Sequence, residues 1–528
     1  MAGSVEKEIS ILTHYIVTIL ARIFRFPGRF RKNALAQKSV GNEKPLRSEL
    51  FSSSQMAEHG KALAGLHTLG EDHVSERLLT RLSQNEGVLF DVHDLLTRAV
   101  KANRRIIPAG EWLLDNFYLI EEQILAARRL LPKGYAKKLP RLKDGPTKGF
   151  PRVYDIALEM ISHSDGRVDS ESLYSFVTAY QTVTTLQLGE LWAIPIMLRL
   201  ALIENLRRIS ARVAIDRIDR DLADYWADKI LETAEKDPKK LIIRIADMAR
   251  SNPPMVSSFI AELARRLQGQ GSALELPLAW IEQQLSESYL TVDLLVQSEN
   301  QHQAADQLSI SNSIGSLRFL SDMDWRKFVE TLSAVEQILR EDTSGIYYRM
   351  DFNTRDQYRH IVEELAKKST FSEKEVAREA VSLARQNTAG KNRDNRADHV
   401  GFYLIDKGLS QLEERLRVRP TAIDVMQRTG RRYPLLFYLG SILFLAVIIS
   451  AGLLAEVRPA GMGGPLLWFV GVVVLLSVSQ LAIAVVNFFA TRLAKPLPLP
   501  RMDFSKGIPP ESYTLVVVPT MLTSTENI

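Results

Sequence analysis

The 528-residue chain contains no cysteine. That excludes disulfides, thiol nucleophiles and Cys-ligated zinc or iron–sulfur centres. It leaves the compartment open, because a reducing cytosol and a disulfide-free exported protein both fit. An excess of one charge is lacking too. The net charge of +5 is small for this length and gives no electrostatic footprint of a nucleic-acid binder. The N-terminus, MAGSVEKE, lacks the positive n-region of a secretory signal. The phosphate-cradling G-x-x-x-x-G-K-[ST], the G-x-S-x-G elbow and the H-E-x-x-H and H-x-x-E-H zinc helices are missing. Strand patterns are scarce before residue 513. No internal repeat of fixed period is evident, so an irregular helical bundle or array is expected rather than a solenoid.

What is present is helical periodicity and two long apolar runs. Leu113, Phe117, Ile120, Ile124, Ala127 and Leu131 alternate by four and three, which predicts one helix with a single buried stripe. Phe371-Ser372-Glu373-Lys374-Glu375-Val376 reads as a helix start, with Ser372 and Glu375 forming a capping box and Phe371 stapled to Val376. Asp324 and Thr354 are further N-cap candidates. Leu191 to Ile203 is apolar nearly all round and too short to span a bilayer, so it predicts a central buried helix. Pro195 should bend that helix or mark its first turn, and Glu204 should pair with Arg208 at its exposed end. Residues 386–398 have little apolar content and read as a loop.

Pro434 to Ala455 carries no charge over 22 residues. At ~1.5 Å per residue it reaches about 33 Å, enough for a ~30 Å hydrocarbon core. Pro465 to Ala490 is a second uncharged run. Together they predict a transmembrane hairpin with a short polar turn. Arg428, Arg431 and Arg432 precede it, and Arg492, Lys495, Arg501 and Lys506 follow it, which predicts both flanks in the cytoplasm and the turn outside. Ile9, Leu12, Ile16, Ile19 and Ile23 form one face near the start. With Arg25, Arg29, Arg31 and Lys32 following, residues 1–32 suit either a helix lying on anionic lipid or one packed on its own domain. The remaining divisions are a linker over 33–55, a helical domain over 56–430, and a final segment over 500–528.

Few constellations point to chemistry. Lys133, Lys137, Lys138, Arg141, Lys143, Lys148 and Arg152 form a basic segment that could meet anionic lipid or a phosphorylated ligand, or simply be solvated. Asp219-Arg220-Asp221 and Asp322-Met323-Asp324 have the spacing with which some glycosyltransferases hold a divalent metal. Both sit in helical territory, and Asp324 is better explained as a cap. His163, Asp165 and Asp169 lie close together, but the spacing is not that of a calcium loop. Asp165-Gly166 reads as a turn and Asp169 as the cap of the next helix. No residue is assigned to catalysis, cofactor or metal.

Several blocks in order carry a family resemblance: EWLLDNFYLIEEQI from Glu111, GFPRVYDIALEMISHSDGRVD at 149–169, LQLGELWAIPIMLRLALIENLRR at 186–208, SGIYYRMDFNTRDQYRHIVEELAKKS at 344–369, HVGFYLIDKGL at 399–409, PRMDFSKGIP at 500–509 and TLVVVPTMLTS at 514–524. The chain resembles the N-terminal portion of the cyclic β-1,2-glucan synthases of the bacterial inner membrane. That resemblance implies a mainly α fold: a cytoplasmic helical bundle or array, a two-helix transmembrane hairpin, and an isolated strand at Thr514 to Val518 opening a truncated α/β glucosyltransferase domain. It implies that UDP-glucose and a divalent metal are used by a domain absent here, so this chain is expected to be inactive alone. Membrane lipid and the remaining synthase domains, in cis or as a separate chain, are the implied partners; nucleic acid is not. The alternative is a membrane-tethered helical scaffold or regulator binding other proteins. Trp112, Tyr118, Tyr154, Trp192 and Tyr347 are candidate sugar-stacking residues for the first reading.

Overall fold

The computed structural model describes residues 43–70, 77–132, 134–135, 138–286, 288–389, 396–419, 429, 433–457, 464–493 and 499–515. The amphipathic segment 1–32, residues 33–42 of the expected linker and the strand from Val516 onward lie outside the described residues. The fold is mainly α, as expected. It divides into two units, Met1–Ser333 and Ala334–Ile528, so the helical domain expected over 56–430 contributes to both.

The first unit runs α1 (Ser53–Leu66), α2 (Arg77–Lys101), α3 (Pro108–Asp115), α4 (Phe117–Leu130), α5 (Arg152–His163), α6 (Ser170–Val183), α7 (Leu188–Lys236), α8 (Leu241–Arg250), α9 (Ser257–Leu267), α10 (Glu275–Ser286), α11 (Val292–Asp322) and α12 (Trp325–Leu332). The apolar run Leu191 to Ile203 is the N-terminal part of α7, the 49-residue helix about which this unit is built. Helices α2, α3, α4, α5, α11 and α12 all pack on α7, which is why a helix apolar on every side is stable there. Pro195 lies inside α7 and not in its first turn. It removes one i to i−4 hydrogen bond, and the surrounding core holds the helix through it. The C-terminal part of α7 enters a second core, where Ala223, Trp226, Ala227 and Ile230 meet α8, α9, α10 and the start of α11.

The stripe from Leu113 to Leu131 is buried throughout, but it belongs to two helices. Asn116 breaks the helix: its amide Nδ2 donates to the Trp112 carbonyl (2.9 Å), and its Oδ1 accepts from Arg318 (2.6 Å). A side-chain amide competing for backbone partners ends a helix without disturbing the apolar phase around it. Asp169 caps α6 through Ser172 N (2.9 Å), and Asp324 caps α12 through Arg326 N and Lys327 N. The turn before α6 has φ +80° at Gly166, and a Cβ there would collide with Ser313 Oγ, so glycine is required. The end of the expected linker is ordered against the body. Ser48 N and Phe51 N donate to the carbonyls of Ser162 and His163.

The second unit contains α13 (Ala334–Leu339), α14 (Phe352–Lys367), α15 (Glu373–Ala389), α16 (Val400–Ile405), α17 (Leu409–Arg415), α18 (Pro434–Val457) and α19 (Gly464–Leu493). Ser372 and Glu375 make the expected capping box. The cap of α14 is Asp351 and not Thr354: Asp351 Oδ1 accepts from Thr354 N (2.9 Å). Thr354 Oγ1 instead accepts from Arg501 N (3.0 Å). Helix α15 runs to Ala389, so the loop expected from 386 begins later.

Helices α18 and α19 pack on each other, and Tyr438 Oη donates to Asn487 Oδ1 (2.7 Å). Both are long and apolar enough to cross a membrane. The core helix of a soluble protein would also be long and apolar, but it would be covered. Here Leu435, Phe444, Trp468 and Leu476 are each more than three-fifths exposed, a surface that suits lipid rather than water. After α19 the chain returns to the helical part of its own unit. Asp351 N donates to Arg501 O (2.9 Å) and Asp503 N to Arg349 O (2.7 Å). Before α18, Arg419 N likewise donates to Lys368 O (3.2 Å).

Candidate functional site

The basic segment is sorted by its surroundings into exposed and internal residues. Lys133 and Lys137 lie outside the described residues. Lys138, Lys143 and Lys148 are exposed, whereas Arg141 and Arg152 are buried. Arg152 Nε and Nη2 each meet a Glu190 oxygen at 2.6 Å, and Nη2 also donates to Thr185 O. Arg141 Nη1 donates to Gly149 O (3.3 Å). Those two arginines therefore leave the basic surface: their charge serves internal partners. The segment is anchored by a two-stranded antiparallel sheet, β1 (Leu69–Gly70) with β2 (Arg141–Leu142). Thr68 Oγ1 donates to Asp144 (2.8 Å), and His67 joins Tyr180 Oη (2.8 Å) and Asp155 (3.0 Å). The three exposed lysines thus stand on a fixed platform.

Neither Asp-x-Asp triplet fits a nucleotide-sugar metal. Asp219 is buried on α7, Asp221 pairs with Arg217, Asp322 is the last residue of α11 and Asp324 is occupied as a cap. A hard divalent cation needs carboxylate oxygens that converge and are free to bind. The group around His163 is also rearranged. Asp165 turns to Arg47 (3.1 Å) and Asp169 caps α6, while His163 joins His59 and Glu159. Sequence reading missed the last two. Glu159 was discoverable as the i−4 neighbour of His163, but His59 comes from another helix. Among the candidate sugar-stacking residues, Tyr154 and Tyr347 are buried and present no face to a glycan, while Trp112 and Tyr118 are exposed.

The densest polar arrangement is a carboxylate inside α7. Glu204 is 1% exposed and accepts from Arg81 Nε (2.9 Å), Arg207 Nη2 (2.7 Å), Arg208 Nε (2.7 Å) and Asn85 Nδ2 (2.8 Å). Glu43 adds a second carboxylate against Arg81 and Arg207. The pair with Arg208 was expected at an exposed helix end; because α7 continues to Lys236, it is internal. Burial alone would raise the Glu204 pKa, but Arg81, Arg207 and Arg208 overturn that and hold it well below the usual carboxylate range. Such a carboxylate is a poor proton acceptor, so the cluster clamps helices rather than moving protons.

Asp216, one turn before Arg220 on α7, behaves oppositely. Burial, and then the nearby Glu299 carboxylate, push it up to about 6 despite Arg220 and Arg212. A carboxyl whose folded pKa is raised stabilises the fold below the unfolded value of 3.8, and that contribution is lost as pH rises through about 6. Between those values the stability of the wild type should therefore fall relative to Asp216→Asn. At ~1.36 kcal/mol per pK unit the difference is at most about 3 kcal/mol. Thermal unfolding of both proteins across that pH range checks it.

The helical body and a pair of lipid-compatible helices define a mainly α membrane protein with no assembled catalytic centre among the described residues. No family model matches the chain. Over 495 residues, 93% of its length, it is 30% identical to the cyclic beta-(1,2)-glucan synthase NdvB of Rhizobium meliloti (strain 1021). The chain spans only 17% of that much longer protein. The similarity expected from the ordered sequence blocks is thus found.

Proposed function

We propose that this chain is the membrane-anchoring helical portion of a cyclic β-1,2-glucan synthase system. It holds the transferase that uses UDP-glucose against the cytoplasmic face of a bacterial inner membrane and performs no glucosyl transfer by itself. The carrying observation is the 30% identity sustained over 93% of the chain, a length that takes in both helical body and hairpin. Two features support the orientation. Seven arginines and lysines flank the hairpin, from Arg428 to Arg432 and from Arg492 to Lys506, whereas its turn holds only Arg458, offset by Glu456. The segments on either side of it, at Arg419 and at Arg501 to Asp503, both bond to the helical part of the second unit. Within this reading Lys138, Lys143 and Lys148 offer a surface to anionic headgroups, and the remaining synthase domains are the protein partner.

The test is deletion, in the source bacterium, of the coding sequence for residues 43–419 with the rest kept in frame. Cyclic glucan in the periplasm, read by mass spectrometry, should disappear. Membranes bearing only residues 1–528 should incorporate no label from UDP-glucose. Glucan output unchanged by the deletion overturns the assignment, and incorporation by the 528-residue chain overturns its inactivity.

A further inference from the structure

His59 on α1 and Glu159 and His163 on α5 converge in the first unit. His59 Nε2 lies 3.0 Å and His163 Nε2 3.5 Å from the same oxygen, Glu159 Oε2. The three donor atoms all fall within 4.8 Å of one another. The second nitrogen of His163 settles its tautomer. Nδ1 sits 2.7 Å from the Glu49 carbonyl oxygen, which can only accept, so Nδ1 carries the proton. In the neutral ring Nε2 then aims a lone pair at a carboxylate oxygen. Two lone pairs at that separation repel unless a cation, either a proton or a metal ion, lies between them. A ring nitrogen oriented by a backbone carbonyl on its far side is also how metal-binding histidines are fixed. Phe51 stacks on His163 with ring centroids 4.0 Å apart, and Phe51 N donates to His163 O, so the imidazole cannot swing away.

We propose that His59, Glu159 and His163 bind one zinc ion. Two imidazoles and one carboxylate are a donor set that zinc accepts, and tetrahedral bonds of about 2.0–2.1 Å place neighbouring donor atoms about 3.3 Å apart. The 3.0 and 3.5 Å separations bracket that value. The three side chains are partly exposed, and His59 also lines an open hollow of about 450 Å³ with Phe51, Ser54, Gln55 and Glu58. Water can therefore reach the fourth position. The ion would tie α1 to α5 and, through the Glu49 carbonyl and Phe51, hold the segment before α1 against the body. This site is independent of the glucan-synthase reading.

The experiment uses the full chain, purified in detergent and stripped with chelator, titrated with zinc against a chromogenic competitor. One equivalent should bind, and zinc should raise the Tm. His59→Ala with His163→Ala should weaken binding by at least about tenfold, as loss of even outer-shell metal partners does, and should abolish the Tm response. X-ray absorption on the zinc-loaded wild type needs no variant, and should show imidazole and carboxylate ligation. No stoichiometric binding by the wild type, or a bound-zinc spectrum without imidazole, overturns the site and leaves the three side chains as a polar clasp between α1 and α5.

Discussion

Glu204→Ala should destabilise the first unit by about 3–5 kcal/mol, the range seen when one member of a buried ion cluster is removed. The change leaves Arg81, Arg207 and Arg208 converging with only the partly exposed Glu43 to balance them, and it strands Asn85 Nδ2. Since domains are commonly stable by ~5–15 kcal/mol, that loss is a large share of the whole. Hydrogen exchange on the full chain in detergent should show protection falling along α2 and the middle of α7, the helices that Glu204 joins. The pH dependence gives a second readout. The folded Glu204 pKa lies below its unfolded value of 4.5. Its contribution is complete above that value and is lost as pH falls. Glu204→Gln should therefore lower stability at neutral pH and narrow the gap to wild type under acid. A variant as stable as wild type at pH 7 would show that Glu204 clamps nothing.

Patterns carried by one element were legible in the sequence, and those carried by partners far along the chain were not. The hairpin was visible because length and hydropathy are local, and the ends of α18 and α19 lie within three residues of the expected bounds. Caps at Asp169, Asp324 and Ser372 were visible because a cap needs only the next three residues. Thr354 was misread for an instructive reason. Asp351 and Thr354 are both cap-forming types three residues apart, and the rival role of Thr354, accepting from Arg501, lies 147 residues away. The break at Asn116 was hidden because the apolar stripe keeps its phase across it. Arg152 counted as one basic charge among seven, since nothing local reveals that Glu190 occupies it. The Glu204–Arg208 pair was read from its spacing, while Arg81, 123 residues distant, was not. The histidine cluster shows the same division: Glu159 and His163 share a helix face, and His59 joins them only through packing of α1 on α5.

Glu336→Ala should be at least as damaging to the second unit, because both charges of its central pair are fully enclosed. Glu336 Oε2 meets Arg359 Nη1 at 2.6 Å, and each side chain is 0% exposed. The same carboxylate accepts from Tyr347 Oη (2.7 Å) and Arg340 Nε (2.8 Å), with Arg355 Nη1 at 3.5 Å. One residue of the six-residue α13 therefore holds the Tyr347–Arg349 turn and α14 together. Burial works against ionising Glu336, and Arg359, with the surrounding donors, still keeps its pKa below the ordinary carboxylate value. Alanine takes from the buried Arg359 its fully enclosed counter-ion and leaves Asp356 (3.0 Å) to balance it, at a cost of about 3–5 kcal/mol. Arg359→Met should cost a similar amount for the opposite reason, a buried carboxylate without its main partner. The double variant Glu336→Leu with Arg359→Met removes both charges at near-constant volume. It should lose much less than the sum of Glu336→Leu and Arg359→Met measured singly, because well-packed apolar pairs often replace buried ion pairs without loss. The residual cost should fall further when Tyr347→Phe is added, since the stranded hydroxyl is then gone. Denaturant midpoints read from hydrogen exchange in α14 and α15 measure each step. Strict additivity between the two charge changes would show that Glu336 and Arg359 do not act as a pair, and that the second unit rests on its apolar core around Tyr358, Val362 and Val376 alone.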